Sequence, residues 1–453
     1  MKSIALHNLG CKVNGYEMDV MQQLLEEKGY KIVPFDEEAD IYIINTCTVT
    51  NIADQKSRQM LHRAKKRNPD AVVVAAGCYA QTGKDKALID PAVDLLIGNN
   101  RKKDIADILE EFLEERQKPD FVPRNKTLHG KTIIDINHTD EYEEMALQGK
   151  DAWDFENRRH TRAYIKIQDG CNQFCSYCII PYARGRVRSR KEEDILAEVA
   201  EIARKGCQEI VLTGIHISSY GIDRGASELL RLLDKLNTVD GLRRIRLGSL
   251  EPAIMTEPFV KGISSLEKIC PHFHISLQSG CDETLRRMNR RYTTREYLEK
   301  VELLREHFTC PAITTDVIVG FPGETEEEFV CTEAFLKEAS FYEMHIFKYS
   351  RRQGTRAASM EQQVPDTCKT ERSERLLRLG EQMSGAYRQG FIGKDAEVLF
   401  EEAKEIDGRI YQIGHTRQYI KAAKETTQNL SNHVEMGRLT GFLKDDILNF
   451  IAR

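Results

Sequence analysis

What the sequence lacks narrows the field first. Its longest apolar runs, such as residues 71–76, are far too short to cross a bilayer. The opening residues, Met1 to His7, hold no apolar core of the kind a secretory signal needs. A cytoplasmic protein without a membrane partner is therefore expected. In a reducing compartment the twelve cysteines are not a disulfide framework. Each is an inert core thiol, a ligand or a nucleophile, and spacing has to decide. Positive charge is also short: the formal net charge is −5, which argues against a globally basic nucleic-acid binder. What is present suits a globular protein with a sizeable core, since 41% of residues are hydrophobic and 30% charged. The length suggests roughly two to four domains.

Locally the charge reads differently. Residues 158 to 191 hold Arg158, Arg159, Arg162, Lys166, Arg184, Arg186, Arg188, Arg190 and Lys191 against a single acid, Asp169. Residues 56 to 67 hold six basic residues and no acid. Both stretches suit phosphate contacts, the alternative being a solvated helix face.

The hydrophobic pattern predicts an α/β protein in three parts. Over residues 1–115, short apolar runs at 4–9, 41–45, 71–76 and 93–97 alternate with helical stretches such as 18–28, the signature of a doubly wound parallel sheet. Residues 116–156 are polar with little period and read as a linker. Over 157–386, six strand-like runs (163–167, 209–213, 244–248, 272–277, 314–319 and 343–349) with helices between them suggest a partial (βα)6 barrel. Over 387–453 the rhythm changes to short β runs and turns, which suggests a small antiparallel β-barrel.

Sheets of the first kind bind their ligands at the carboxyl ends of their strands. Cys11, Cys47 and Cys78 each fall within a few residues of such an end. A repeated position of this sort points to three soft thiolates gathered at one rim as metal ligands; separately buried core cysteines are the alternative. The sharper motif is Gly170-Cys171-Asn172-Gln173-Phe174-Cys175-Ser176-Tyr177-Cys178, directly after the first barrel strand. Its spacing lets three thiolates turn toward one iron–sulfur cluster, and such clusters normally take four. The next cysteine, Cys207, lies across a predicted helix, so one iron is left open for chemistry. Softer signals line the predicted barrel rim: Glu251, Ser276, Gln278, Ser279 and Gly320, with turn or packing roles as the alternative. Asp316 lies mid-strand, where a carboxylate needs a partner. His272 and His274 alternate on a strand and read as satisfied core residues.

The spacing of Cys171, Cys175 and Cys178 resembles that of radical S-adenosylmethionine enzymes. The whole arrangement resembles the methylthiotransferases among them, over nearly the full length. The resemblance implies an N-terminal cluster domain, a radical barrel and a C-terminal TRAM barrel. It also implies two 4Fe–4S clusters, one on Cys11, Cys47 and Cys78 and one on Cys171, Cys175 and Cys178, with S-adenosylmethionine chelated at the open iron of the second. Cleavage of that molecule to a 5′-deoxyadenosyl radical would activate a C–H bond, and sulfur held at the first cluster would be methylated and inserted. Tyr177, Gly214, Glu251, Ser276, Gln278 and Gly320 become candidates for the S-adenosylmethionine site. The usual Gly-Gly-Glu of radical enzymes is here Leu212-Thr213-Gly214-Ile215, a departure that bears on how the methionyl amine is held.

The motifs Asn8-Leu9-Gly10-Cys11-Lys12-Val13-Asn14, Asn45-Thr46-Cys47-Thr48-Val49-Thr50, Gly248-Ser249-Leu250-Glu251-Pro252 and Ser276-Leu277-Gln278-Ser279-Gly280-Cys281-Asp282 look like the branch that modifies threonylcarbamoyladenosine in tRNA. The implied reaction adds a methylthio group at C2 of that base, beside the anticodon. tRNA is then the partner, held partly by Arg184, Arg186 and Arg188, with an electron donor of flavodoxin or ferredoxin type and a sulfur donor. The rivals are a methylthiotransferase for isopentenyladenosine or for a ribosomal-protein aspartate and, in another class, a non-catalytic iron–sulfur protein that senses redox state while binding RNA.

Overall fold

The computed structural model describes residues 2–83, 88, 90–119, 126–136, 142, 145–147 and 161–453. The first layer is an all-parallel sheet of β1 (Ser3–Asn8), β2 (Lys31–Val33), β3 (Ile41–Thr46), β4 (Val72–Gly77) and β5 (Leu95–Ile97), in the order β2-β1-β3-β4-β5. β3 and β4 are buried at every position, as central strands covered on both faces must be. The pattern of apolar runs missed β2, whose three residues are too few for a period to register. The helix Lys12–Glu27 buries Val13, Tyr16, Val20, Met21 and Leu25 along one stripe. The stretch expected to be a linker contributes Lys126, Leu128, Ile136, Met145 and Leu147 to the interior. Arg158 and Arg159 of the basic run lie outside the described residues.

The middle of the chain supplies β6 (Arg162–Asp169), β7 (Arg188–Ser189), β8 (Glu209–Gly214), β9 (Arg244–Leu247), β10 (His272–His274), β11 (Ala312–Val319) and β12 (Glu343–Lys348). They form two sheets, β7-β6-β8-β9 and β10-β11-β12. Parallel bridges Ile245–Ile269 and Leu250–Ile275 run from one sheet to the next, so six parallel strands follow one another in sequence order. Side chains alternate along each strand. Ile165, Ile210, Leu212, Ile245, Phe273, Ile313 and Val317 join the main core. The intervening residues, among them Arg162, Lys166, Glu209, Arg244, Arg246, His272, His274 and Asp316, are polar and lie on the opposite face.

The last 59 residues form β13 (Asp395–Ile406), β14 (Arg409–Thr416), β15 (Lys421–Glu425), β16 (Val434–Lys444) and β17 (Ile447–Ala452), closed in the order β13-β14-β15-β17-β16. All pairs are antiparallel except β15 with β17. The sequence reading missed β17, without which the sheet has two free edges.

This barrel is bonded tightly to the strands before it. Glu209, fully buried, receives Arg162, Arg244 and Arg246 at 3.1, 3.4 and 2.8 Å. The same arginines reach the end of β14, before the loop to β15: Arg244 donates to the His415 carbonyl at 3.0 Å and Arg246 to the Thr416 carbonyl at 2.8 Å. Tyr419, at the loop tip, stacks on His415 (4.3 Å between ring centres) and on His272 (5.0 Å). Arg162 and Arg246 lie over its ring, and Arg162 donates to its hydroxyl at 2.6 Å.

Burial holds both histidines neutral. It lowers the pKa of His272 well below the ordinary value, with help from Arg246 and Lys12, and it lowers that of His415 despite Glu401. A folded pKa below the unfolded one gives stability that is whole above about 6.5 and is lost as pH falls below it. Hydrogen-exchange protection at residues 415–421, corrected for intrinsic rate, is therefore expected to fall between about pH 7 and pH 5.5. Protection in β3, which holds no histidine, should fall less; equal losses would show that the two histidines do not control the joint.

Candidate active site: two cysteine triads

The first triad sits where the strand order of the N-terminal sheet turns around, between β1 and β3. Cys11 caps the helix Lys12–Glu27, Cys47 follows β3 directly, and Cys78 opens the helix Cys78–Thr82 after β4. Cys11 is exposed, whereas Cys47 and Cys78 are buried. Gly10 makes the close approach possible. Its φ is +109°, and a Cβ there would stand 2.9 Å from the Cys47 Cβ. Asn14 Nδ2 donates to the carbonyls of Leu9 and Thr46 and so ties the Cys11 and Cys47 loops together. Burial raises the Cys47 thiol pKa; the Val49 N–H opposes this, and charge on Cys78 or Cys11 raises it further. Asn99 Nδ2 lies 3.5 Å from the Cys78 Sγ and donates to the Ala183 carbonyl at 2.7 Å.

The second triad sits on the loop after β6. Gly170, at φ +72°, lets the chain pass against 185–186: a Cβ there would fall 1.7 Å from the Arg186 carbonyl oxygen. The loop is pinned by Cys171 N–H to Gly185 O (3.0 Å), Ser176 N–H to Met288 O (3.0 Å) and Ser176 Oγ–H to Arg287 O (2.8 Å). Burial pushes the Cys171 thiol up to about 11 and the Cys178 thiol up to about 12, in each case with repulsion from Cys175 adding to it. Arg290, which sequence reading did not single out, is buried here. It points Nη1 at the Cys175 Sγ (3.3 Å) and Nη2 at both Glu251 carboxylate oxygens (2.8 and 2.7 Å).

The expected S-adenosylmethionine residues lie around this loop. Glu251 pairs with Arg290, and the His216 Nε2 is 3.8 Å from it. The Ser276 carbonyl accepts from Arg290 and from the Tyr292 hydroxyl. Gln278 is buried at φ +71°, bonded through its backbone to Asp316 and Ile318. Tyr177 packs edge-on against Phe321, and Gly214 ends β8 against Gln168. At Gly320 the neighbour that excludes a side chain is Lys369, 2.2 Å from a built Cβ, and its N–H is taken by Glu324 at 2.6 Å.

The arginines need correction. Arg184 and Arg188 are each only 1% exposed and offer nothing to RNA. Arg184 bonds Glu17 (2.7 Å), Asp169 (3.1 Å) and Asn14 (2.5 Å). Arg188 donates to the Arg184 carbonyl and to Asn100. Charge in a sequence does not reveal its partners, and here one of Arg184's is an acid 167 residues away in the chain. Glu17 also receives Lys102 and Lys166 at 2.6 and 2.7 Å, and Lys166 bonds Asp169 at 2.6 Å. Three cations and two carboxylates thus form one buried cluster, with members just after Cys11, just before Cys171 and just after Cys178. Arg186 alone of the three is exposed, its guanidinium 4.6 Å above the Phe174 ring.

The donor sets suit iron–sulfur clusters. Each triad offers three soft sulfurs with N–H groups directed at them, from Asn99 in the first and from Arg290 and Gln173 in the second, a donor set that matches an iron–sulfur core.

Comparison with known proteins agrees. The radical SAM superfamily model matches residues 165–336, and that of an uncharacterized family, UPF0004, matches residues 3–98. Threonylcarbamoyladenosine tRNA methylthiotransferase MtaB of Bacillus subtilis is 41% identical over 95% of this chain and 92% of its own. This chain belongs to the MtaB family of radical S-adenosylmethionine methylthiotransferases. MtaB of Aquifex aeolicus is 40% identical over 89% of this chain and 94% of its own. The tRNA-2-methylthio-N(6)-dimethylallyladenosine synthase of Caldicellulosiruptor saccharolyticus is 35% identical over 88% and 82%. Among solved structures, the radical S-adenosylmethionine methyltransferase TsrM from Kitasatospora setae, with cobalamin and a [4Fe-4S] cluster bound, shares the fold. Its TM-score is 0.56 at 18% identity, over 79% of this chain and 77% of that one. The cofactors of this MtaB-family chain are S-adenosylmethionine and 4Fe–4S clusters.

The two arginines separate in a simple test. Arg184→Ala removes one partner from a buried charge cluster and is expected to destabilise by about 3–5 kcal/mol. Arg186→Ala, at an exposed site, should stay within about 0.5 kcal/mol of wild type. Urea denaturation midpoints measure both, and equal midpoints would refute the burial assignment.

Proposed function

We propose that the protein adds a methylthio group to C2 of N6-threonylcarbamoyladenosine beside the anticodon of tRNA, giving 2-methylthio-N6-threonylcarbamoyladenosine. The observation that carries this reading is the joining of two three-cysteine sites, each preceded by a positive-φ glycine at a strand end, through one buried charge cluster. The printed names of the MtaB relatives supply the substrate. In this reading Cys11, Cys47 and Cys78 hold the auxiliary cluster and Cys171, Cys175 and Cys178 the radical cluster. Bound S-adenosylmethionine and the two clusters supply radical formation and sulfur, chemistry that no side chain performs on an unactivated C–H bond.

The chain's own residues do the positioning. Glu17, Lys102, Lys166, Asp169 and Arg184 fix the distance between the triads. Arg290 aims its charge at Cys175 while holding Glu251, and Asn99 links Cys78 to the helix that follows Cys178. Tyr177, Gly214, Glu251, Ser276, Gln278 and Gly320 border the S-adenosylmethionine site. We read the six parallel strands as a partial (βα)6 barrel whose polar face is its lumen, and the closing five strands as a TRAM domain. The parts are then 1–115, 116–156, 157–386 and 387–453. Arg186, beside the cluster loop, contacts the tRNA backbone, and the modified base flips into the lumen. An electron donor of flavodoxin or ferredoxin type and a sulfur donor complete a cytoplasmic system. No helix among the described residues is long and apolar enough to cross a membrane.

Nucleoside mass spectrometry of tRNA from a deletion strain tests the reaction: the methylthiolated threonylcarbamoyl nucleoside should vanish and its isopentenyl counterpart persist. The reverse loss would sink the assignment. Replacing either triad with alanines should reduce iron from roughly eight to roughly four per chain after anaerobic reconstitution. Both variants should lose product, and full iron in either would show that its cysteines hold no cluster.

A further inference from the structure

Three strands bring three polar side chains together on the lumen face. His274 ends β10, Asp316 lies mid-way along β11, and His345 is level with Asp316 on β12. Their donor atoms all lie within 4.8 Å of one another. His274 Nε2 is 3.3 Å from an Asp316 oxygen and its Nδ1 is 3.0 Å from the Thr314 hydroxyl, so both ring nitrogens are engaged. Asp316 keeps its other oxygen unbonded among the described residues. His345 is exposed, its ring centre 5.7 Å from that of His274, and it makes no hydrogen bond among the described residues. Lys12, next to Cys11, is exposed and lies within electrostatic reach of His272, Arg162 and Arg246. It too makes no hydrogen bond or ion pair there.

We infer that His274, Asp316 and His345 form the subsite for the N6 substituent of the target base, and that this subsite selects a polar, anionic, hydrogen-bonding group over an apolar one. The inference rests on the function proposed above and extends it to named residues. A threonylcarbamoyl group offers ureido N–H donors, a hydroxyl and a carboxylate. The free Asp316 oxygen accepts an N–H, His345 bonds the hydroxyl or carboxylate, and Lys12 balances the negative charge. An isopentenyl group offers none of these and would strip water from a carboxylate and an imidazole without replacing it. A site built to hydrogen-bond its ligand rejects an analogue that cannot by far more than a hydrophobic pocket discriminates by size.

The test uses the full-length, cluster-loaded enzyme and two anticodon stem-loops that differ only in carrying threonylcarbamoyl or isopentenyl on the same adenine. Product is read by mass spectrometry and binding by fluorescence anisotropy, without oxygen. His345→Leu and Asp316→Asn should weaken binding of the threonylcarbamoyl stem-loop about ten- to a hundredfold and narrow the kcat/KM ratio between the two substrates. Variants are compared at iron content equal to wild type, and His345→Asn carries the test where His345→Leu fails to load. A wild-type enzyme that ignores the threonylcarbamoyl stem-loop overturns the functional reading and the subsite together. A wild-type enzyme that modifies it, with the ratio unmoved in the variants, overturns the subsite alone. So does one equivalent of a divalent metal other than iron in wild type that disappears in His345→Leu, since the trio would then be a metal site.

Discussion

The carboxylate of Glu17 is the point on which the rest of the molecule turns. It lies two turns into the helix that Cys11 caps, and it receives Lys102, Lys166 and Arg184 in a space almost closed to water. Burial alone would drive its pKa up, yet Arg184, Lys102 and Lys166 hold it well below the usual carboxylate range. Clusters of this kind add little net stability over apolar packing, but breaking one leaves an uncompensated charge, so they tolerate very few arrangements. Here the arrangement they enforce is the register between the N-terminal sheet and the strands that carry the second triad. A hydrophobic joint could slide by fractions of a helical turn. A carboxylate that must meet three cations at 2.6–2.7 Å cannot.

The sign of the cluster fits its place. Three cations face two carboxylates, and Arg188 stands nearby with further positive charge. In the proposed reading the triads are anionic thiolate ligands, and these cations supply charge that balances them when buried. Asn99, bonded to the Cys78 Sγ and to the Ala183 carbonyl, sets Arg184 close to the N-terminal triad. Among the described residues, the basic run from Arg162 to Lys191 thus serves the interior more than the surface.

How much of this was legible in the residues depends on distance along the chain. Cys171, Cys175 and Cys178 could be read because their spacing is local, and Cys11, Cys47 and Cys78 because strand ends recur in a parallel sheet. The six central strands announced themselves by period, and so did the change to short β runs from about residue 387. Arg184 and Arg188 could not be read correctly, since the partner that buries Arg184 lies 167 residues away in sequence. Arg290 and His345 carry no motif; each matters only through what folding sets beside it. Asp316 was expected to need a partner and finds one in His274, which was itself expected to be an ordinary satisfied histidine. β2 and β17 went unseen because one is too short for a pattern and the other closes a sheet whose need for closure is visible only in three dimensions.

The polar face of the central strands has two ends, and the charge chemistry of each assigns it a different task. At the amino ends, Arg162, Glu209, Arg244 and Arg246 are saturated by one another and by Glu397, Glu401 and the 415–419 loop. Tyr419, held between two neutral histidines and two guanidinium groups, fills the space that these side chains would otherwise leave to water. Saturated charges bind nothing further, so that end is closed by the C-terminal barrel, which is part of the enzyme body rather than a tethered appendage. Further along the same face, Asp316 and His345 keep unused hydrogen-bonding capacity among the described residues. In the proposed reading those unsatisfied polar groups face the substrate, and the filled joint lies behind them as a floor. Deleting the barrel would remove that floor and leave Glu209 among arginines open to water, so its loss would disturb the chamber as well as any contact with RNA.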